Sequence, residues 1–453
     1  MLDGISNSII SSNSERLLGE VSPAPDKSIS HRALMIASVA EGESNIHNLL
    51  EGEDVLQTYY ALTSMGVRIE RLEDKTWKVY GNGIGSLLPP RDVLDMGNAG
   101  TGARLLIGMV SSYPFVSVFT GDGSLRKRPM ERVITPLERS GAVFMASEGD
   151  CLPLSVRGAT VPIPFDYIMP VDSAQVKSSI LLAGLNIRGV TTVVERNVTR
   201  DHTEKMLQGF GATVSSSSAD DGCGTKISVH GMSGMQGKNF SIPGDFSSAS
   251  FLIAAALICR DSNILITDVG VNPTRIGLYT TLIEMGANLS MENLKYVAGE
   301  PMADIRVRYS PDMRGVIVPS SRAALMIDEY PILSVVAAFS QGDTVMHGVG
   351  ELRSKESDRI ATISNGLRAC GVPVTEQEDI MTVHGGDNCG VQGGVTISSA
   401  MDHRVAMSFL CLGLGAHKEV EVTETEVINT SYPCFISDIV QLGGNLIAKR
   451  GSV

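Results

Sequence analysis

Six short stretches of this 453-residue chain resemble one another: MGVRIE from Met65, SGAVFM from Ser140, FGATVS from Phe210, MGANLS from Met285, CGVPVT from Cys370 and LGGNLI from Leu442. Their glycines (66, 141, 211, 286, 371 and 443) recur at spacings of 70 to 85 residues. Each follows a helix-like run, such as TYYALTSM or LYTTLIEM, and precedes a short alternating stretch. Glycine just past a helix end is the expected left-handed cap. One such element carries little weight, but six at similar spacing constitute an internal repeat.

A second helix pattern lies upstream of each glycine, opening at DKSISHR, GNAGTGAR, DSAQVKS, GDFSSAS, DEYPILS and DHRVAMS. The runs that follow are apolar nearly all round, so these helices are expected to be buried. Most open with Asp, Asn, Ser or Gly, which is N-cap chemistry. The repeat is therefore a βαβαββ-like unit in an α/β fold, with about twelve helices in all. The six units divide most simply into two domains of three. The first is residues 22–240; the second is 241–453, with the N-terminal segment 1–21 completing it.

Aromatics are only 5% of the chain against 43% hydrophobic residues, so the core must be built from Leu, Ile, Val, Ala and Met. A net charge of −13 argues against nucleic acid or an anionic membrane as a partner, while leaving small anions open. Seven scattered cysteines without a C-x-x-C spacing point to a reducing compartment and no metal cluster. With no signal-peptide pattern and no apolar run near the roughly 18 residues of a membrane span, a cytoplasmic location is expected.

The polar residues gather at the helix openings. Lys27, Ser28 and Arg32 open the first; Asn98, Gly100, Thr101 and Arg104 the next; then Ser173, Ala174 and Gln175; then Asp328; then Asp402, His403 and Arg404. The second helix of the units adds Lys127 and Arg128, Arg200 to His202, and Lys355, Glu356 and Arg359. Ser28 and Arg32 are four apart, as are Lys355 and Arg359, which would place each pair on one helix face. Helix N-termini favour anions, and arginine forks grip carboxylate and phosphate. Taken singly these residues have plainer readings. A basic residue at a helix start is commonly solvated, Asp328 ahead of Pro331 reads as a cap, and Asp201 to Glu204 reads as a capping box. Their shared placement in corresponding parts of a repeat is what favours a binding site. If the openings converge, seven cations (Lys27, Arg32, Arg128, Arg200, Lys355, Arg359 and Arg404) face only Asp328 and Glu356.

PDKSISHR (25–32), GNAGTGAR (97–104), KRPM (127–130), SAQVKS (173–178), TRDHTEKML (199–207), NPTR (272–275), IDEYPIL (327–333), KESDRI (355–360) and DHRVAMSF (402–409) together resemble the enolpyruvyl transferases. Within that family they are most similar to the branch whose acceptor is shikimate 3-phosphate, and the motifs run over nearly the whole chain. The resemblance implies two inside-out α/β domains with helix N-termini facing a cleft. It implies transfer of the enolpyruvyl group of phosphoenolpyruvate to the acceptor's 5-hydroxyl, with release of phosphate. The expected partners are these two small molecules, with no metal or organic cofactor, no nucleic acid, no membrane and no second subunit.

Carried over by motif, Ser28 and Arg32 would hold the shikimate carboxylate, and Ser173, Ala174 and Arg200 its phosphate. Gln175 would lie between the ligands. Gly100, Arg128, Arg359 and Arg404 would hold phosphoenolpyruvate, and Lys27 would touch both ligands. Asp328, with Lys355, would take the hydroxyl proton, and Glu356 would protonate the methylene carbon. Two departures stand out. Thr430 precedes Ser431-Tyr432-Pro433 where many members carry a lysine, and Gly100 stands where a glyphosate-tolerant member can carry alanine. The sister reaction on UDP-N-acetylglucosamine is the nearer rival, but the Gly121–Arg126 loop lacks the cysteine usual there. A non-catalytic anion-binding protein on the same scaffold is the more distant one; it would need the cations but neither Asp328 nor Glu356.

Overall fold

The computed structural model describes residues 8–73, 75–219, 221–297, 299–386 and 390–449. Parts of the expected second domain (1–7, 298, 387–389 and 450–453), together with Cys389, lie outside them. The six described cysteines are all free thiols. No helix among the described residues is long and apolar enough to cross a membrane.

Six four-stranded sheets form, one per repeat. In each the sequence-ordered strands lie in the order first, second, fourth, third, except where a strand is borrowed from elsewhere in the chain. The first pair is parallel, as in Leu94–Asp95 against Val116–Thr120; the following pairs are antiparallel. A buried helix links the first two strands and a second helix links the next two. This is the βαβαββ arrangement expected from the repeat.

All six repeat glycines adopt positive φ, between 86° and 104°. The residue after the glycine reaches back to close the helix, as Val67 N donates to Leu62 O at 3.1 Å. That is a Schellman termination, and it requires the left-handed residue that glycine supplies.

The first helix of each repeat is buried. Every residue of Phe246–Ile258 is buried, and Ala174–Leu185 is buried from Val176 onward. Small residues let these helices touch through their backbones. A Cβ on Gly108 would stand 2.4 Å from the Ser179 carbonyl oxygen, so helices Gly100–Val110 and Ala174–Leu185 have no space between them there. Such close approach explains how a core with few aromatics still fills its volume.

Caps follow the sequence in four of the six. Asp26, Ser173, Asp245 and Asp402 each accept a backbone N–H in the first turn of their helix. Helices Gly100–Val110 and Tyr330–Ala338 depart, having no side-chain cap. The cap position of the latter is Glu329, so Asp328 lies one residue outside it.

The chain resolves into two compact units. One comprises Pro25–Ile242 with Tyr296–Glu300; the other comprises the chain up to Ala24, Pro243–Lys295 and the chain from Pro301. Strands are exchanged relative to chain order. Leu18–Val21, just ahead of helix Lys27–Ser38, pairs instead with Asn263–Gly270. Phe240–Ser241, just ahead of helix Phe246–Ile258, pairs with Glu41–His47.

Candidate active site

In the Pro25–Ile242 unit, Lys27, Ser28 and Arg32 share the helix Lys27–Ser38. Arg32 is 3% exposed, and each of its three guanidinium nitrogens donates a hydrogen bond. Its Nη1 donates to Ser28 O at 2.9 Å, its Nε to Thr203 Oγ1 at 2.7 Å and its Nη2 to Ser178 Oγ at 2.8 Å. Burial, with help from nearby Arg200, pushes its guanidinium down to about 10 against the opposing pull of Asp26, Glu204 and Glu300; it is still a cation at neutral pH. Lys27 places its amine 2.9 Å from Asp54 Oδ2. Neighbouring His31 is buried with Nδ1 2.7 Å from Thr58 Oγ1, and burial pushes it down to about 3, so it adds no charge.

Ser173 caps the helix that Ala174 opens. Gln175 bridges two elements, donating through Nε2 to Thr101 Oγ1 at 2.9 Å and accepting from Arg104 Nη1 at 3.1 Å. Arg200 is half-buried directly ahead of helix His202–Gly209. Arg128 donates to Asn98 Oδ1 at 2.8 Å and to Ser124 Oγ at 3.2 Å. A Cβ on Gly100 would lie 3.0 Å from Arg128 Nη1, so these two positions share one small space. Gly100 N–H itself donates to Asn98 O at 2.7 Å.

The capping box expected at Asp201 to Glu204 does not form. Asp201 makes no side-chain cap bond, and Glu204 Oε1 instead lies 2.8 Å from Lys177 Nζ, because a buried lysine claims the carboxylate. His202 Nδ1 sits 2.8 Å from Glu300 Oε1. With Asp201 these form the group with metal-ligand chemistry among the described residues, their three ligand atoms lying within 4.8 Å of one another. The His202–Glu300 hydrogen bond gives that pair a structural role.

In the other unit three acidic residues converge on Arg359, which is 1% exposed. Its Nε donates to Asp402 Oδ2 at 2.8 Å, its Nη1 to Asp328 Oδ1 at 3.3 Å and its Nη2 to Glu356 Oε2. Burial alone would weaken this cation, but Asp402, Glu356 and Asp328 outweigh it and hold the guanidinium above its ordinary range. Arg404 joins through Nη1, 3.3 Å from the Asp328 carbonyl oxygen, and its backbone N–H is capped by Asp402 at 2.9 Å. Lys355 is apart, its amine 3.4 Å from Glu351 Oε1. It does not share a helix face with Arg359, because the helix begins at Arg359 with Asp358 as its cap. Thr430 lies in the 3-10 turn Thr425–Thr430 and bonds only locally, its Oγ1 donating to Val427 O at 2.7 Å.

Two counter-ions escaped the sequence reading. Asp54 holds Lys27, and Asp402 holds Arg359. Asp402 sits in the DHR opening already singled out, but only as helix-cap chemistry; Asp54 has no signal beyond an acidic first turn. With them the charge picture changes. In the second unit Asp328, Glu356 and Asp402 all pair with Arg359, while Lys355 pairs with Glu351.

The sequence model of the family described as EPSP synthase (3-phosphoshikimate 1-carboxyvinyltransferase) matches residues 12–439. A relative named 3-phosphoshikimate 1-carboxyvinyltransferase from Paramagnetospirillum magneticum is 51% identical over 438 residues, covering 96% of this chain and 98% of its own. Another of that name from Dinoroseobacter shibae is 49% identical over 430 residues, 95% of each chain. The solved structure of EPSP synthase from Acinetobacter baumannii superposes with a TM-score of 0.85 at 40% identity, covering 97% of this chain and 99% of that one. The chain belongs to the EPSP synthase family of carboxyvinyl transferases.

Proposed function

We propose that the chain transfers the enolpyruvyl group of phosphoenolpyruvate to the 5-hydroxyl of shikimate 3-phosphate, releasing phosphate. The observation that carries this reading is the convergence of Asp328, Glu356 and Arg359 in the second unit. A protein that only binds anions has no use for Asp328 and Glu356 on an arginine meant to hold the anion. A reaction that moves two protons around an anionic substrate needs them.

In this reading Arg32 and Ser28 take the shikimate carboxylate, and Arg200 with Ser173 and Ala174 takes its phosphate. Arg128, Arg359 and Arg404 hold phosphoenolpyruvate, Gly100 N–H joining them by exchanging its bond to Asn98. Gln175 stands between the ligands and Lys27 touches both. Each substrate carries a carboxylate and a phosphate of about −1.5 to −2, so neutralising the pair takes about five to six cations. Asp328, aided by Lys355, accepts the 5-hydroxyl proton as the oxygen bonds to C2 of phosphoenolpyruvate. Glu356 gives a proton to C3, forming a tetrahedral adduct. Loss of a proton from the new methyl group then expels phosphate and restores the double bond. The arginines stabilise the charge that builds on the leaving phosphate.

The charge balance around Arg359 adds a step. A phosphoenolpyruvate anion arriving there competes with Glu356. Glu356 then exchanges a cationic neighbour for an anionic one, and its proton affinity rises. Substrate binding would thus make Glu356 an acid just when an acid is needed.

Phosphate release from purified protein given phosphoenolpyruvate, with shikimate 3-phosphate or UDP-N-acetylglucosamine as acceptor, tests the reading. Release with shikimate 3-phosphate alone is expected. Release only with the nucleotide sugar would overturn the acceptor assignment, and release with neither would overturn the enzyme.

Gly100→Ala tests the phosphoenolpyruvate half. Gly100 opens a helix without positive φ, so alanine suits the backbone. The new methyl would press on the Arg128 and Arg104 guanidiniums at 3.0 and 3.2 Å. Glyphosate, expected in the same pocket, should inhibit Gly100→Ala at about tenfold higher concentration than the parent, a shift worth one or two lost contacts. Side-by-side inhibition curves that coincide would sink the idea.

A further inference from the structure

Lys177 is wholly buried, yet the reaction proposed above gives it nothing to do. Its amine lies 3.1 Å from Glu195 Oε1 and 3.0 Å from Oε2, 2.8 Å from Glu204 Oε1 and 3.4 Å from the Thr199 carbonyl oxygen. One ammonium thus ties helix Ala174–Leu185 to the end of strand Val190–Glu195 and to helix His202–Gly209. Glu195 extends the tie: its Oε2 accepts from Thr199 Oγ1 at 2.6 Å and from Thr199 N–H at 3.3 Å. The N–H, carbonyl and hydroxyl of the residue before Arg200 are all fixed by this pair.

The adjacent position on each helix does the same for Arg32. Ser178 Oγ and Thr203 Oγ1 lie 2.7 Å apart and both accept from the Arg32 guanidinium. So Lys177–Glu204 and Ser178–Thr203 are consecutive rungs between two helices, one rung ionic and one binding Arg32.

Such a cluster is costly to bury. Two carboxylates share one ammonium, and burial raises the Glu195 carboxyl above its usual range despite the opposing pull of Lys177 and Thr199. Well-packed apolar side chains of similar volume would commonly be no less stable. Retention of the charged set is explained by geometry, because directional bonds fix a loop where packing would only fill it.

We infer that Lys177, with Glu195 and Glu204, is a positioning group for the acceptor: it sets Arg200 and Arg32 at the spacing of a ligand carrying a phosphate and a carboxylate. The inference rests on the shikimate 3-phosphate reading given above.

Steady-state kinetics of Lys177→Met and Thr199→Val against the parent tests it. Lys177→Met should raise the KM for shikimate 3-phosphate by about tenfold or more and leave the KM for phosphoenolpyruvate within about twofold. Thr199→Val, isosteric and uncharged, should give a smaller shift in the same direction. Without Lys177 the two glutamates face each other near the acceptor phosphate, and one is relieved by taking up a proton. The acceptor KM of Lys177→Met, relative to the parent, should therefore improve between about pH 8 and pH 6.5. Adding Glu204→Gln to Lys177→Met should restore part of the loss. A parent protein that neither binds nor turns over shikimate 3-phosphate overturns the functional reading and this inference with it. A parent that turns over, with variants that move both KM values equally or neither, overturns the inference alone. If Lys177→Met fails to fold, Thr199→Val decides by the same split.

Discussion

Replacing Glu356 by glutamine is expected to lower turnover by about 10²–10⁴-fold, the usual contribution of a positioned general acid. Shikimate 3-phosphate should still bind, because Arg32, Ser173 and Arg200 belong to the other unit. The KM for phosphoenolpyruvate should not rise. Glu356 occupies one guanidinium nitrogen of Arg359 in the unliganded protein, and a neutral amide competes for it less well than a carboxylate. Falling turnover with an unchanged or lower KM is the signature of an interaction used in the transition state rather than in ground-state binding. Steady-state kinetics and calorimetric titration with shikimate 3-phosphate read both quantities. Loss of acceptor binding in parallel with turnover would make Glu356 a structural residue and return the acid's role to Asp328 or Lys27.

That Glu356 and Asp328 belong together was legible in the sequence through the family motifs that carry them and through the repeat. Each sits beside a helix opening, Asp328 ahead of the first helix of one module and Glu356 ahead of its second. The glycines made the module visible, because positive φ after a helix is a demand few other residues meet; Gly66 and Gly443 satisfy it alike from opposite ends of the chain. The buried helices were legible for a similar reason: a run such as Phe246–Ile258 has no polar face to offer water. What stayed hidden were pairings with no local pattern. Asp54 meets Lys27 across 27 positions and Asp402 meets Arg359 across 43, each looking alone like a helix-terminal acid. The pairing of Phe240–Ser241 with the first unit left no trace either, since a two-residue parallel edge has no periodicity to read. Lys355 was misplaced because four-residue spacing was extended across Asp358, whose carboxylate caps Ala361 N–H and starts the helix there.

The hidden counter-ions govern the second large effect, on Arg359. Arg359→Met removes the cation that Asp328, Glu356 and Asp402 share, and leaves three carboxylates in a site where Asp402 has no exposure at all. Breaking a buried ionic cluster from one side costs about 3–5 kcal/mol, since the remaining charges lose their compensation. The variant should therefore unfold at markedly lower denaturant than the parent at neutral pH. An uncompensated carboxylate in a poorly solvated site relieves itself by taking up a proton. The folded variant would then bind protons that its unfolded chain does not, and its deficit should shrink as pH falls from about 7 to 5. Activity should fall separately and further. Losing a forked grip on phosphoenolpyruvate removes charge-assisted bonds of about 1.5–3 kcal/mol each, so kcat/KM should drop by about 10²-fold or more. Arg359→Lys separates the two effects. It returns a charge to the carboxylates but not the planar fork, so stability should recover more than kcat/KM does. Denaturant titrations at the two pH values, set beside kinetics of both variants, decide the matter. An Arg359→Met protein as stable as the parent at both pH values would mean that water already compensates the three carboxylates. Proton uptake by Glu356 on substrate binding would then lose its physical basis, because that uptake needs the same shortage of solvation that makes Arg359 indispensable.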